Sequence, residues 1–203
     1  MGYVTSLFAH KMVAAAGDAV DQAELLSSAG LEPHAEPDPR VMMVDTAYYE
    51  LLEKMAARID VTALPLGAAK RLSPDDYGAL GLAWKAAPTL AGSFARVERY
   101  ARLWTSVVEY ELRPAPNGTL FVLHRIGPRR LGLRLSNEAT LASAVSISRQ
   151  VCPVPFAPLE VHFQHAPPKT LAHHEDFFGC SVTFGSEVDA LLISSEALSQ
   201  TNI

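Results

Sequence analysis

The chain has 203 residues, of which 49% are hydrophobic and only 19% charged. That apolar share excludes an intrinsically disordered chain, which buries too little apolar surface to offset the entropy of ordering, and the length suits one ordinary domain with its own core. Seventeen basic against 22 acidic residues leave a net charge of -5, which excludes strong nucleic-acid binding by this segment, because affinity for phosphate rests on clustered Lys and Arg.

The first half is helical in pattern. Residues 3–16 and 18–29 read as two helices parted at Gly17, with Asp18 as the second N-cap and Gly30 as its stop. Pro33, Pro37 and Pro39 make 31–40 a rigid connector. Asp45 caps a third helix to about Ile59, in which Tyr48, Leu51, Leu52, Met55 and Ile59 recur at helical spacing, while 64–72 fits neither template cleanly. Ser73, Pro74, Asp75 and Asp76 start another helix that ends before Pro88, with proline at its first position and acids in its first turn. Thr89 caps the clearest helix: Leu90, Phe94, Val97, Ala101 and Trp104 form one apolar stripe, and Arg96, Glu98, Arg99 and Arg102 fall outside it.

The period then changes. Over 108–113, Val, Tyr and Leu alternate with Glu, Glu and Arg, the pattern of a strand with one buried face. Pro116, Asn117 and Gly118 make a turn and 119–125 return, giving a hairpin. Residues 131–135 suggest a third strand, 137–151 a helix, 159–165 a strand, 171–178 a short helix, and 181–184 and 190–193 two last strands. No strand-helix unit repeats, which argues against a doubly wound parallel sheet. The order predicts an α+β fold in which N-terminal helices pack on a mostly antiparallel sheet, as a single domain over 1–203.

Cys152 and Cys180 are the only cysteines and both have apolar neighbours, which predicts buried thiols in a reducing cytoplasm rather than a disulfide framework. No apolar run approaches the ~20 residues needed to cross a bilayer. The opening segment lacks the basic leader of a signal peptide and carries His10 and Lys11 in mid-run, so no membrane partner is expected.

Nucleophile and phosphate motifs are missing: there is no G-x-S-x-G elbow, P-loop or G-x-G-x-x-G, and no enzyme is predicted. His162, His165, His173, His174, Glu175 and Asp176 gather near the C-terminus with Cys180 close behind. Such side chains suit a metal, but H-x-x-H on a strand sends its two rings to opposite faces and adjacent histidines on a helix diverge by about 100°. Neither metal nor cofactor is expected. Arg125, Arg129 and Arg130, the densest basic spot, read as a solvated loop flanking a strand. A better lead is aromatic. Trp84, Tyr100, Trp104, Tyr110 and Phe121 fall on the helix-to-hairpin segment, where Arg99, Glu109 and His124 would add polar contacts to an apolar cavity. The expected ligand-binding residues are Trp84, Arg99, Tyr100, Trp104, Tyr110, Phe121 and His124.

Two ordered runs carry a family resemblance. Leu80-Gly81-Leu82-Ala83-Trp84-Lys85-Ala86-Ala87-Pro88-Thr89-Leu90, followed by Phe94 and Arg99-Tyr100, is one; Val161-His162-Phe163, His165, Pro167-Pro168, His174, Phe177-Phe178, Cys180, Val182, Phe184-Gly185 and 191–198 are the other. With the helical opening they resemble the arabinose-binding-like, non-cupin N-terminal domain of AraC-type transcription regulators over nearly the whole chain. The resemblance implies a small-molecule effector and a homodimer, with DNA bound only through a C-terminal helix-turn-helix domain absent from this sequence, which stops at Ile203 where the linker would begin. Two alternatives stay open: a dimerisation-only module, and a metal-binding enzyme domain using the C-terminal histidines.

Overall fold

The computed structural model describes residues 1–203. The chain opens on a short strand, β1 (Tyr3–Thr5), paired antiparallel with β2 (Met42–Val44). Between them lie α1 (Leu7–Ala16) and α2 (Gln22–Ser28), parted at Gly17. The cap of α2 is Asp21, which accepts from the Glu24 N–H at 2.9 Å, three residues later than Asp18. α3 (Asp45–Ala56) and α4 (Leu64–Lys70) follow. Ser73 and Asp76 form a reciprocal capping box, but the turn they start runs only over Pro74–Tyr77. Gly78, at φ 56°, breaks it before α5 (Ala79–Lys85). α6 (Leu90–Tyr100) begins at Thr89, whose hydroxyl accepts from the Gly92 N–H.

The hairpin predicted from period-2 alternation is β3 (Val108–Ala115) and β4 (Gly118–Arg125). After it come α7 (Leu131–Val151), β5 (Glu160–Phe163), α8 (Ala172–Phe178), β6 (Ser181–Phe184), β7 (Asp189–Ser194) and the single turn α9 (Ser195–Leu198). The sheet order is β3-β4-β7-β5-β6, with every neighbouring pair antiparallel except β5 with β6. This is the expected α+β architecture with a mostly antiparallel sheet. α7 stands between the layers: α3 and α4 pack on one side of it, β4 and β7 on the other. One continuous core runs from Val4 to Ile193.

One expected strand is overturned. Residues 131–135 are the first turn of α7. The helix has no capping side chain at Arg130; Glu53 of α3 does that work instead, accepting the Gly132 N–H at 3.0 Å while its carboxylate takes both Arg130 donors at 2.6 and 2.8 Å. The Arg130 hydrogen bonds hold the Glu53 carboxyl below the usual carboxylate range. The helix expected over 3–16 also begins later, at Leu7, because Tyr3–Thr5 is the strand β1; β1 and β2 are each too short to display a period.

The α3–α7 contact is close because position 132 has no side chain. A Cβ at Gly132 would stand 2.2 Å from the Tyr49 carbonyl oxygen, whereas one at Gly67 in α4 would meet only the Ala15 methyl at 3.6 Å. Alanine gains roughly 0.5–1 kcal/mol over glycine in a helix, and overpacking against backbone costs about 1–3 kcal/mol. Gly132→Ala is therefore expected to lower the urea midpoint and Gly67→Ala to raise it; the same sign for both would refute this packing.

Candidate functional site

α5 and α6 bring Trp84 and Phe94 together, and the sheet adds the rest. Side chains on a strand alternate between faces, so Val108, Tyr110 and Leu112 of β3 share the inner face with their partners Arg125, Leu123 and Phe121 of β4. The rings meet edge to face for Trp84–Phe94 (4.9 Å, 68°) and Phe94–Phe121 (4.8 Å, 63°), and stack for Tyr110–Phe121 (4.8 Å, 9°), the arrangements that aromatic quadrupoles favour. Trp104, past the end of α6, closes the side toward Tyr77 (6.5 Å, 74°).

Tyr77, Trp84, Trp104, Tyr110 and Phe121 line a cavity of about 60 Å³ walled mainly by apolar side chains, with Thr140, Ser143, Ala144 and Ile147 of α7 as its back; Phe94 supports Trp84 and Phe121 without lining it. Trp84 is 1% exposed and its indole Nε1 finds no acceptor in the protein. Burial pushes the Tyr110 hydroxyl up to about 12, against the opposing pull of the Arg125 charge, so it stays a neutral phenol at physiological pH.

Arg125 separates this cavity from a polar cleft of about 400 Å³ and lines both. Its Nε donates to Asn137 Oδ1 on the cleft side, its Nη2 to Thr140 Oγ1 at 3.1 Å on the cavity side, and its Nη1 to Tyr49 Oη at 3.3 Å. Arg129, Arg130 and Arg134 stand around the cleft, with Asp189 among its walls. Arg125 is thus no solvated loop residue, contrary to the sequence expectation for that basic spot; Arg129 is exposed and Arg130 is held by Glu53.

Of the seven expected ligand-binding residues, Trp84, Trp104, Tyr110 and Phe121 line the cavity and Arg99, Tyr100 and His124 do not. Arg99 lies on the exposed side of α6, its guanidinium 5.4 Å from the Tyr100 ring centre. Tyr100 is 41% exposed in a surface groove with Leu103. His124 has the opposite parity to Phe121 on β4, and on the outer face its Nε2 sits 2.8 Å from Glu111. Glu109 also faces outward, paired with Arg102. The residue that reasoning from composition missed is Arg125, though its parity with Phe121 and Leu123 was there to read.

The C-terminal histidines do something else. Glu138, 1% exposed in the middle of α7, holds His174 Nε2 at 2.8 Å. His165 Nε2 stands 3.0 Å from its other oxygen, although that nitrogen is not directed along a good hydrogen bond. Desolvation raises the Glu138 carboxyl, but His165 and His174 outweigh it and hold it at about 2. His162 pairs with Glu160, and His173 is exposed beside a separate groove.

Comparison with known proteins now places the chain. The chain is an α+β unit with an aromatic-lined cavity between helices and a hairpin. The family model "Arabinose-binding domain of AraC transcription regulator, N-term" matches residues 20–202, and the chain belongs to that family. No curated protein sequence matches it. Among solved structures, the transcriptional regulator CdpR from Pseudomonas aeruginosa is similar in fold, with a TM-score of 0.59 at 15% identity over 89% of this chain. The match spans 56% of that chain, about half its length.

The buried carboxylate gives a pH signature. A carboxyl at about 2 in the folded chain, against an ordinary 4.5, contributes stability that is complete above ~4.5 and is lost as pH falls through 2. Glu138→Gln should cost about 3 kcal/mol at pH 7, the order expected for breaking a buried pair. Urea midpoints measured from pH 7 down to 3 should fall less steeply for the variant than for the parent; parallel curves would remove Glu138 from this role.

Proposed function

We propose that this chain is the effector-sensing domain of an AraC-type transcription regulator. A small molecule occupies the cavity walled by Trp84, Trp104, Tyr110 and Phe121, and its binding is passed to a DNA-binding domain outside this chain. The reading is of a regulatory domain and not an enzyme, working as a homodimer in the bacterial cytoplasm and reaching DNA only through the other domain. The family match supports the regulatory part, and no helix is long and apolar enough to cross a membrane.

The observation that carries the ligand is Trp84. A buried indole N–H without an acceptor costs about 1–3 kcal/mol, and here that ring is a wall of the cavity. The nitrogen itself is covered by the surrounding packing, so an effector that shifts this wall and brings an acceptor to it relieves the cost only when bound.

A route outward begins at the same residue. The Asn202 amide donates to the carbonyls of Trp84 (3.2 Å) and Ala87 (2.9 Å) and to Ser93 Oγ (2.8 Å). Thr201 bridges to Thr89, and the Ile203 N–H donates to the Val151 carbonyl at the end of α7 at 2.9 Å. The last residues are thereby fastened to two walls of the cavity. An effector that favours one placement of Trp84 biases the path of the chain beyond it, which is coupling by population shift.

Trp84 and Trp104 are the only tryptophans, and both face the cavity, so intrinsic fluorescence reads its occupancy. A metabolite screen is expected to return ligands that change this fluorescence and, at a hundred times Kd, stabilise the fold by about 2.7 kcal/mol. Trp84→Phe should weaken those ligands about tenfold, the equivalent of about 1.4 kcal/mol, beyond whatever the lost ring volume costs the free chain, which its urea midpoint reads separately. A chain that sediments as a dimer while no small molecule moves its Tm would instead be the dimerisation-only module.

A further inference from the structure

The cavity is walled mainly by apolar side chains, and one corner of it holds a charge. Arg125 is half-buried, yet all three of its side-chain hydrogen bonds go to neutral acceptors: the Asn137 amide oxygen, the Tyr49 phenol and the Thr140 hydroxyl. The acid nearest to it along the network, Asp189, is reached only through Asn137, whose Nδ2 donates to Asp189 Oδ2 at 2.9 Å. Asp189 is itself engaged by Gln164, through the backbone N–H at 2.9 Å and the side-chain amide at 3.3 Å. The other arginines of this region differ. Arg130 is bound by the Glu53 carboxylate, and Arg134 stands 3.3 Å from Glu138.

A half-buried guanidinium whose hydrogen bonds all go to neutral dipoles attracts an anion, because charge-assisted bidentate bonds to a carboxylate are roughly twice as strong as bonds to neutral acceptors. The position of this one is what matters. Thr140 is a cavity residue and Asn137 a cleft residue, so the fork spans the boundary between an apolar space and a cationic one.

Resting on the effector reading above, we infer that the ligand is an amphipathic carboxylate: a compact apolar body lies among Trp84, Tyr110 and Phe121, and its carboxylate pairs with Arg125. The size of the body follows from the space. At about 10–15 Å³ for each water-sized group, a cavity of about 60 Å³ holds about four to six non-hydrogen atoms. A bare apolar compound would leave the guanidinium without a counter-ion, and a cationic one would set two like charges against each other. A phosphate or other fully hydrophilic anion would leave the aromatic end unfilled.

The test uses matched probes on the 203-residue chain, read by tryptophan fluorescence: butanoate, hexanoate, octanoate and phenylacetate, each beside the alcohol and the amine with the same body. The expected result is at least tenfold tighter binding of one or more carboxylates than of the matching alcohol, with no binding of the amine. In Arg125→Gln that preference, taken as the ratio of carboxylate to alcohol affinity in the same variant, should fall to about twofold or less. Should Arg125→Gln fail to fold, Thr140→Asp, which supplies an internal carboxylate beside Nη2, should abolish the same preference. Alcohols binding as tightly as carboxylates would overturn the inference and leave the effector reading standing. No binding by any probe of either kind would overturn the inference and count against the effector reading as well.

Discussion

Most of the circumference of α7 is buried, and its sequence is far from purely apolar: Ser136, Asn137, Glu138, Ser143 and Ser148 all lie inside. Burying a polar group without a partner costs several kcal/mol in an apolar environment, and an isolated charge costs far more. Ser143 and Ser148 solve this within the helix, each donating to the carbonyl four residues back as Thr140 also does, while Ser136 meets the Tyr48 hydroxyl of α3. Asn137 and Glu138 have no such recourse and must be answered by other elements. Asp189 at the start of β7 and Arg125 at the end of β4 answer Asn137; His174 of α8 and His165 after β5 answer Glu138. Two adjacent polar residues therefore fix the sheet and α8 against the central helix, and one of those fixings is what carries Arg125 to the edge of the cavity.

The parts of the fold legible in the sequence were those whose stabilising partners are local. The α6 stripe and its Thr89 cap, and the β3–β4 hairpin with its Asn117-Gly118 turn, declare themselves within a dozen residues. The start of α7 does not. Leu131-Gly132-Leu133-Arg134-Leu135 alternates as a strand would, and the acceptor for the Gly132 N–H is Glu53, 79 residues earlier. Position 132 tolerates only glycine because of the Tyr49 backbone, a reason that also lies far away in the chain.

The site was legible to the same extent. Large aromatic residues in the helix-to-hairpin segment predicted the rings that wall the cavity, since such rings are buried wherever the fold allows. Polar residues were harder to place, because polarity alone favoured His124 whereas pleat parity assigns the inner face to Arg125. Arg99 had already fallen outside the apolar stripe of α6, and its exposure follows from that. Glu138 gave no signal at all: a glutamate in mid-helix is ordinarily a surface residue, and one of its partners, His174, is 36 residues away.

The size of the cavity bears on how a domain of this kind can respond. A space of about 60 Å³ buries few ligand atoms, and ligands of that size are held to about 1.5 kcal/mol per non-hydrogen atom at best. Apolar contact alone therefore gives a small ligand little leverage over the protein, and a ligand can shift a conformational equilibrium only by the difference in its affinity for the two states. Polar groups that lack a matched partner in the free chain supply such a difference. The Trp84 N–H has no acceptor, and the Arg125 guanidinium has no carboxylate. Both flank one small space, Trp84 is tied through Asn202 to the last residues of the chain, and Arg125 is tied through Asn137 to α7 and β7. On the proposed reading, a ligand that meets both groups would gain most from an arrangement in which they converge, and stabilising it would set α5, α7 and the last residues together.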